Sequence, residues 1–97
     1  MVTSVKINEQ TTVKRNDKVL HSKIDGEVVM LLPEMNAYMG MNLTGSAIWE
    51  LLKEKINVDT IVRELINEFE IDRETCKKEV ISYLNILLEK GLIEIYS

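Results

Sequence analysis

The chain has 97 residues, which is enough for one domain with a single modest core and too few for two. Its formal net charge is −4, and nucleic acid is disfavoured as a partner because binding through phosphates needs clustered Lys and Arg side chains. One cysteine and one histidine exclude an internal disulfide and leave too few soft ligands for a structural zinc site, so we expect no metal and no cofactor.

The N-terminal residues lack the apolar segment of a secretory signal, and no apolar run in the chain approaches the roughly 20 residues of a membrane span. We therefore expect a cytoplasmic protein without a membrane span. Residues 1–16 place Val5, Ile7 and Val13 in loose alternation with polar side chains, without a helical stripe or strong turn residues. This pattern predicts an extended, partly ordered arm.

Residues 19–41 have the pattern of three short strands. The dipeptide Asp25-Gly26 separates the runs 19–24 and 27–32, and it favours a two-residue turn because both central residues need positive φ. The sequence therefore predicts a β-hairpin whose second strand, apolar on both faces, is central.

The two faces of the first strand differ in composition. Leu20 and Ile24 share one face with Ser22, and His21 and Lys23 share the other. We expect the face with Leu20 and Ile24 to be buried and the face with His21 to be exposed, and we assign His21 no role.

A third run, Ala37–Met41, follows a predicted turn at Pro33–Asn36. Paired antiparallel with the second strand, it is expected to lie at the edge of the sheet. Gly40 within it indicates a bulge or a place where another backbone comes close.

From Asn42 onward the hydrophobic period changes from 2 to 3.6, which predicts helices. Asn42 or Thr44 is a suitable N-cap for the first helix, in which Trp49 is interpreted as a core anchor. The predicted helices are Thr44–Lys55, Asp59–Glu70 and the segment from the N-cap Asp72 to Gly91, followed by an extended tail, Ile93–Tyr96.

The third helix has a wide apolar arc of roughly 220° at 100° per residue. Val80, Leu84 and Leu87 define its centre. The flanking residues are Ile81 and Leu88 on one side and Tyr83 and Ile86 on the other. An arc this wide exceeds what a single core-facing side needs, so we expect the helix to contact two partners.

The order of three strands and three helices, with the third strand running into the first helix, resembles the PqqD family, also called the RiPP recognition element. Asn42, Gly45 and Trp49 fall on the family's Asn, Gly and Trp, Tyr38 falls on its aromatic strand position, and Val28–Leu31 matches its apolar second strand. The resemblance implies an α+β fold that is winged-helix-like, with a three-stranded antiparallel sheet followed by a three-helix bundle. We expect a single domain, residues 1–97, with the arm at 1–16, the sheet at 19–41 and the helices at 44–91.

The family resemblance also implies a function, which is to bind the leader region of a precursor peptide without catalysing a reaction. The leader is expected to add as a strand to the third strand and to lie in a groove walled by the third helix. The resemblance implies no catalytic residue. The expected peptide-binding residues are Ala37, Tyr38, Met39, Gly40 and Met41 of the strand and Lys77, Val80, Ile81, Leu84 and Leu88 of the helix.

Three alternatives stay open at this point. Tyr38, Met39 and Met41 can simply fill the core, as apolar strand residues usually do. A winged-helix DNA-binding regulator has the same elements, although the third helix balances its basic residues with acidic ones. Among leader-binding proteins, the partner is either a leader peptidase, as in lasso-peptide systems, or a radical SAM maturation enzyme.

Overall fold

The computed structural model describes residues 7–32 and 37–96. The predicted turn at Pro33–Asn36 and the first six residues of the predicted arm lie outside this range. The elements, in chain order, are β1 (Thr12–Arg15), β2 (His21–Ile24), β3 (Glu27–Leu32), β4 (Ala37–Gly40), α1 (Leu43–Leu51), β5 (Ile56–Asn57), α2 (Val58–Glu68), α3 (Arg73–Glu89) and β6 (Ile93–Tyr96).

The predicted sheet is present and antiparallel, with the strand order β2-β3-β4. Its hairpin turn has φ 52° at Asp25 and φ 85° at Gly26, so both central residues adopt the positive φ that a tight two-residue hairpin turn requires. The predicted hairpin is therefore confirmed, with β3 as the central strand.

The expected burial of the face with Leu20 and Ile24 is wrong, whereas the expected exposure of His21 is confirmed, since every residue of β2 is exposed. Leu20 and Ile24 are each 58% exposed, whereas the ring of His21 lies 5.8 Å from the ring of Trp49 in an edge-on contact. Alternation along a strand defines two faces but not which of them is inward; the pairing with β3 decides that. Because His21 lies opposite Met30, which is fully buried, the His21 face points toward the helices.

A second three-stranded sheet, with the order β5-β1-β6, was not predicted. The part of the expected arm from Thr12 to Arg15 is its central strand, and Val13 is fully buried. Backbone bonds from Arg15 N–H to the carbonyl of Leu52 and from Asn16 N–H to that of Leu92, each 2.8 Å, tie this strand to later parts of the chain. The description of an arm is therefore corrected here: this segment is ordered by partners more than 35 residues away.

The three helices are confirmed, with shorter bounds than expected for the first. Helix α1 ends at Leu51 instead of Lys55 because the next residues turn and enter β5, which pairs with β1. Helix α3 begins after its predicted N-cap, Asp72, whose side chain accepts a bond from Thr75 N–H. It ends at Glu89, and Gly91, two residues further on, adopts the left-handed conformation with φ 74°.

The core lies between the β2-β3-β4 sheet, the three helices and the inner side of the second sheet. Trp49 is fully buried, as expected for a core anchor. The centre of the apolar arc of α3, formed by Val80, Leu84 and Leu87, is also buried. The α+β class, with a three-stranded antiparallel sheet followed by three helices, is confirmed, and the second sheet is an addition to it. Within the described ranges, no helix is long and apolar enough to span a membrane.

Candidate functional site

The open side of β4 is the first part of the candidate site. Among the described residues, β4 pairs with β3 alone, so its other side presents backbone groups at the edge of the sheet. The pairing places Met39 opposite Met30 and Gly40 opposite Val29. The register is continuous through Gly40, so the strand has no bulge there, and a Cβ atom added to Gly40 meets nothing within 4 Å.

The hydrogen-bond pattern shows which β4 amides face outward. Met41 N–H donates to the carbonyl of Val28 at 2.9 Å, which identifies this as a hydrogen-bonded pair. Because such pairs alternate along antiparallel strands, Met39 is bonded to Met30 within the sheet. Tyr38 and Gly40 therefore direct their N–H and C=O groups toward the open edge.

The other side of β3 supports this assignment. Leu31 N–H donates to the carbonyl of Leu20 at 2.9 Å, so the odd-numbered residues of β3 bond β2. Its even-numbered residues are left to bond β4, in agreement with the Met30–Met39 pair.

Ser46 of α1 ends the ladder between β3 and β4. Val28 N–H donates to Ser46 Oγ at 2.8 Å, and the same hydroxyl donates to the carbonyl of Met41 at 3.3 Å. The hydroxyl thus stands between two groups that would otherwise bond each other. It fixes the start of α1 against the end of β4. Ser46 as a whole is buried, with 4% of its surface exposed.

The predicted strand residues have different surroundings. Tyr38 is 75% exposed, so it does not fill the core. Met41 is buried and Met39 is partly buried against the core, as the core-filling interpretation expected for these two. The inward methionines anchor β4, while its edge and outer face stay accessible.

The predicted residues of α3 are not brought to one surface. Val80 and Leu84 lie in the core, at 1% and 0% exposure. Ile81 and Leu88 are partly buried and pack against the core. Lys77 forms ion pairs with Glu9 and Glu74, with N–O distances of 3.9 and 3.6 Å.

The opposite flank of α3 faces the chain segment that follows β4. Tyr83 Oη donates to the carbonyl of Gly45 at 3.4 Å, and Gly45 lies in the first turn of the helix that continues from β4. Ile86, three residues on, is about 60° from Tyr83 around the axis, whereas Ile81 is about 160° away on the other side. Ile86 is 45% exposed. Tyr83 therefore lies beside the start of α1, and Ile86 follows it on the solvent side of α3, where it lines a surface pocket together with Lys77 and Ile81.

This flank is one side of the wide apolar arc, and none of its residues is among the peptide-binding residues that the sequence predicts. The deciding contact is between Tyr83 and Gly45, where a Cβ added to the glycine would lie 3.0 Å from the Tyr83 hydroxyl oxygen. Burial raises the pKa of Tyr83, so the hydroxyl stays protonated and can donate. Asn42, the N-cap of α1, accepts a bond from Gly45 N–H at 2.8 Å and completes the arrangement.

The chemistry of this arrangement is hydrogen bonding and apolar contact. Cys76 is buried, and desolvation raises the pKa of its thiol. Within residues 7–32 and 37–96, no group of three or more His, Cys, Asp or Glu side chains is placed to hold a metal ion.

Comparison with solved structures identifies three similar proteins. TbiB1, solved in complex with the TbiA(beta) leader peptide, is 36% identical, with a TM-score of 0.76 over 87% of this chain and 98% of that one. A lasso peptide synthetase B1 complexed with its leader peptide is 18% identical, with a TM-score of 0.73 over 84% and 96% of the two chains. The PqqD truncation of Methylobacterium extorquens PqqCD, described as a stand-alone RiPP recognition element, is 17% identical, with a TM-score of 0.74 over 91% and 94%. The last two similarities establish the fold alone.

No curated protein sequence matches the chain at a significant level. The family model for coenzyme PQQ synthesis protein D (PqqD) matches residues 27–93, which include β3, the candidate edge β4 and all three helices. The extent of this match, together with the 36% identity to TbiB1, shows that the chain belongs to the PqqD family.

Proposed function

We propose that this protein is a non-catalytic adaptor that binds the leader region of a precursor peptide by strand addition to β4. The observation that carries the proposal is the outward direction of the Tyr38 and Gly40 backbone groups at an edge that pairs with no other described strand. Strand addition supplies main-chain hydrogen bonds for affinity, and side-chain pockets beside the strand supply selectivity. The leader-bound state of TbiB1, a relative at 36% identity, supports the same role here.

The groove would be walled by the Tyr83 and Ile86 flank of α3, beside the start of α1. Ile86 supplies exposed apolar surface, and Tyr83 is held in place by its bond to Gly45. Val80 and Leu84 would support this wall from the core, whereas Lys77, Ile81 and Leu88 form the alternative wall on the opposite flank.

The partner that receives the leader is a leader peptidase or a radical SAM maturation enzyme. We place this transfer in the cytoplasm, because precursor peptides are made there by ribosomes. The whole of residues 1–97 would act as one unit, since β1 joins the N-terminal part to α1 and to the segment after α3.

The alternative function, a DNA-binding regulator, has less support. Arg73 pairs with Asp59 at 2.6 Å and with Glu9 at 3.2 Å, and Lys77 also pairs with Glu9. Two of the basic side chains of α3 are therefore already neutralised by carboxylates of the same chain and are poorly placed to bind phosphates.

Amide hydrogen exchange tests the proposal directly. The probes are the leader of a precursor encoded beside the gene for this chain and, as a second peptide, the TbiA(beta) leader. We expect either leader to slow exchange of the outward amides of Tyr38 and Gly40, with little change at Met39, which is bonded within the sheet. Unchanged exchange at both outward amides under saturating peptide would show that the peptide binds elsewhere, and saturable binding of an operator-like duplex would favour the regulator instead.

A further inference from the structure

A second surface of the molecule, which includes no residue of β4 or α3, has the features of a binding groove. It lies between α1, the last turn of α2 and the β2–β3 turn, and it encloses about 560 Å³. We call it the acidic groove. Its lining combines an apolar floor from α1 and Phe69 with charged side chains on two rims.

The floor of the acidic groove is apolar. Leu43 is 59% exposed, and Ala47, Leu51 and Phe69 are only partly buried. Leu43, Ala47 and Leu51 are spaced by four residues, so they form one row along α1. The groove side of α1 is therefore a partly exposed apolar strip.

Carboxylates stand on both rims of this floor. Glu50 and Glu54 are four residues apart on and just after α1, and Glu64 and Glu68 are four residues apart on α2. On α2, the like charges of Glu64 and Glu68 at this spacing repel each other and destabilise the helix. Among the ion pairs of the described residues, one involves these four carboxylates, between Lys23 and Glu50 at 3.9 Å. Lys53 also lines the groove, so the four carboxylates exceed the two lysines.

Two helix termini add to the negative potential. Helix α1 ends at Leu51 and helix α2 ends at Glu68, and both ends contribute residues to the groove. The C-terminus of a helix carries a partial negative charge, which a basic side chain in the last turn commonly offsets. Neither helix has a basic residue in its last turn.

We infer that the acidic groove binds a cationic amphipathic segment of a partner protein. Its apolar side chains would contact the row from Leu43 to Leu51, and its Lys or Arg side chains would meet the carboxylates on the two rims. Charge complementarity selects this occupant over an acidic or purely apolar one. The groove includes no residue of β4 or α3, so it stays available while a peptide occupies the edge of the sheet.

A synthetic probe tests this inference without knowledge of the natural partner. The probe is a fluorescein-labelled 14-residue peptide of Leu and Lys with Leu at helical spacing, and its counterpart carries Glu in place of every Lys. We expect the Lys peptide to bind, to shift the amide resonances of Leu43, Ala47 and Phe69, and to bind more weakly in 500 mM salt. The double variant Glu64→Lys/Glu68→Lys should weaken binding at least tenfold.

The control is Glu79→Lys/Glu89→Lys, which changes the net charge equally at two exposed positions of α3 outside the groove. It should alter affinity less than twofold. Failure of the Lys peptide to bind, equal losses in both double variants, equal binding of the Glu peptide, or resonance shifts confined to other surfaces would each overturn the inference. Leader binding by Glu64→Lys/Glu68→Lys should match the parent, which separates this test from that of the proposed function.

Discussion

The hydroxyl of Ser46, in helix α1, accepts a hydrogen bond at 2.8 Å from the backbone N–H of Val28, in strand β3. The same hydroxyl donates to the Met41 carbonyl and so replaces one rung of the β3–β4 ladder. A single side chain therefore links the last pair of the sheet to the first turn of α1. This link holds the end of the β3–β4 ladder against the start of α1.

Removing the Ser46 hydroxyl should lower stability. In Ser46→Ala the buried N–H of Val28 loses its acceptor, and an unsatisfied buried donor costs about 1–3 kcal/mol. Urea unfolding measures the loss, and hydrogen exchange should show faster exchange at Val28. Ser82→Ala, at an exposed position of α3, is the matched control and should change the free energy of unfolding by less than about 0.5 kcal/mol. Equal stability of the two variants would mean that the Val28–Ser46 bond contributes nothing.

Proline at neighbouring positions of β4 should have opposite effects. Met39→Pro removes an N–H that is bonded within the sheet and should lower the free energy of unfolding by about 2 kcal/mol or more. Tyr38→Pro removes an outward N–H, so the domain should stay folded and bind its leader at least tenfold more weakly. Thermal melting and fluorescence-anisotropy titration with the labelled leader separate the two outcomes. If Tyr38→Pro unfolds and Met39→Pro does not, the assignment of outward amides is reversed; if both bind like the parent, the peptide does not add to β4.

The two flanks of α3 should contribute differently to peptide affinity. Ile86→Asp places a charge on the flank beside the start of α1, at a side chain that is already 45% exposed. We expect a loss of about 2 kcal/mol in leader binding with little change in melting temperature. Ile81→Asp is the comparison variant, and because Ile81 packs against the core, we expect it to lower the melting temperature instead. Weaker leader binding by folded Ile81→Asp, with normal binding by Ile86→Asp, would place the peptide on the Lys77 flank.

The contact between Gly45 and Tyr83 should show measurable coupling. Gly45→Ala places a methyl group 3.0 Å from Tyr83 Oη and 3.2 Å from its Cζ, which forces the ring to move. Overpacking typically costs 1–3 kcal/mol, and the better helix propensity of alanine returns about 1 kcal/mol, so we expect a net loss of about 1 kcal/mol. Tyr83→Phe removes the oxygen that lies closest to the new methyl group.

A double-mutant cycle checks this reasoning. Gly45→Ala should cost less in the Tyr83→Phe background than in the parent, by about 0.5 kcal/mol or more. Additive effects would show that the ring yields without strain. Leader affinity measured on the same four proteins should fall with Gly45→Ala, because Tyr83 forms part of the proposed wall.

Local sequence signals predicted the elements that are set by local chemistry. The hairpin at Asp25-Gly26, the N-cap of α3 at Asp72 and the left-handed Gly91 after its last turn depend on residues whose conformational preferences act within a few positions. The strand β1 could not be found in this way, because its partners β5 and β6 follow 40 or more residues later. Four residues with one buried side chain carry little periodic signal of their own.

The candidate site was predicted in outline and not in detail. The edge strand follows from the order of elements, but the outward direction of Tyr38 depends on one bond, from Met41 to Val28, that fixes the alternation. The apolar arc of α3 was apparent from the sequence. The side of α3 that faces the start of α1 is set by the packing of Tyr83 on Gly45, a contact across 38 residues that periodicity does not encode.

The outward backbone groups of β4 also bear on how precursor peptides can diverge. Every non-proline residue offers the same N–H and C=O groups, so a strand added opposite Tyr38 and Gly40 can change many of its side chains and keep these bonds. Proline at a position that must donate to β4 is the substitution least compatible with the docked strand. Under the proposed strand addition, a single copy of this protein would serve several precursors whose leaders share a pattern of apolar side chains and proline-free positions but little sequence identity, and new precursors would arise by duplication without a matching change in the adaptor.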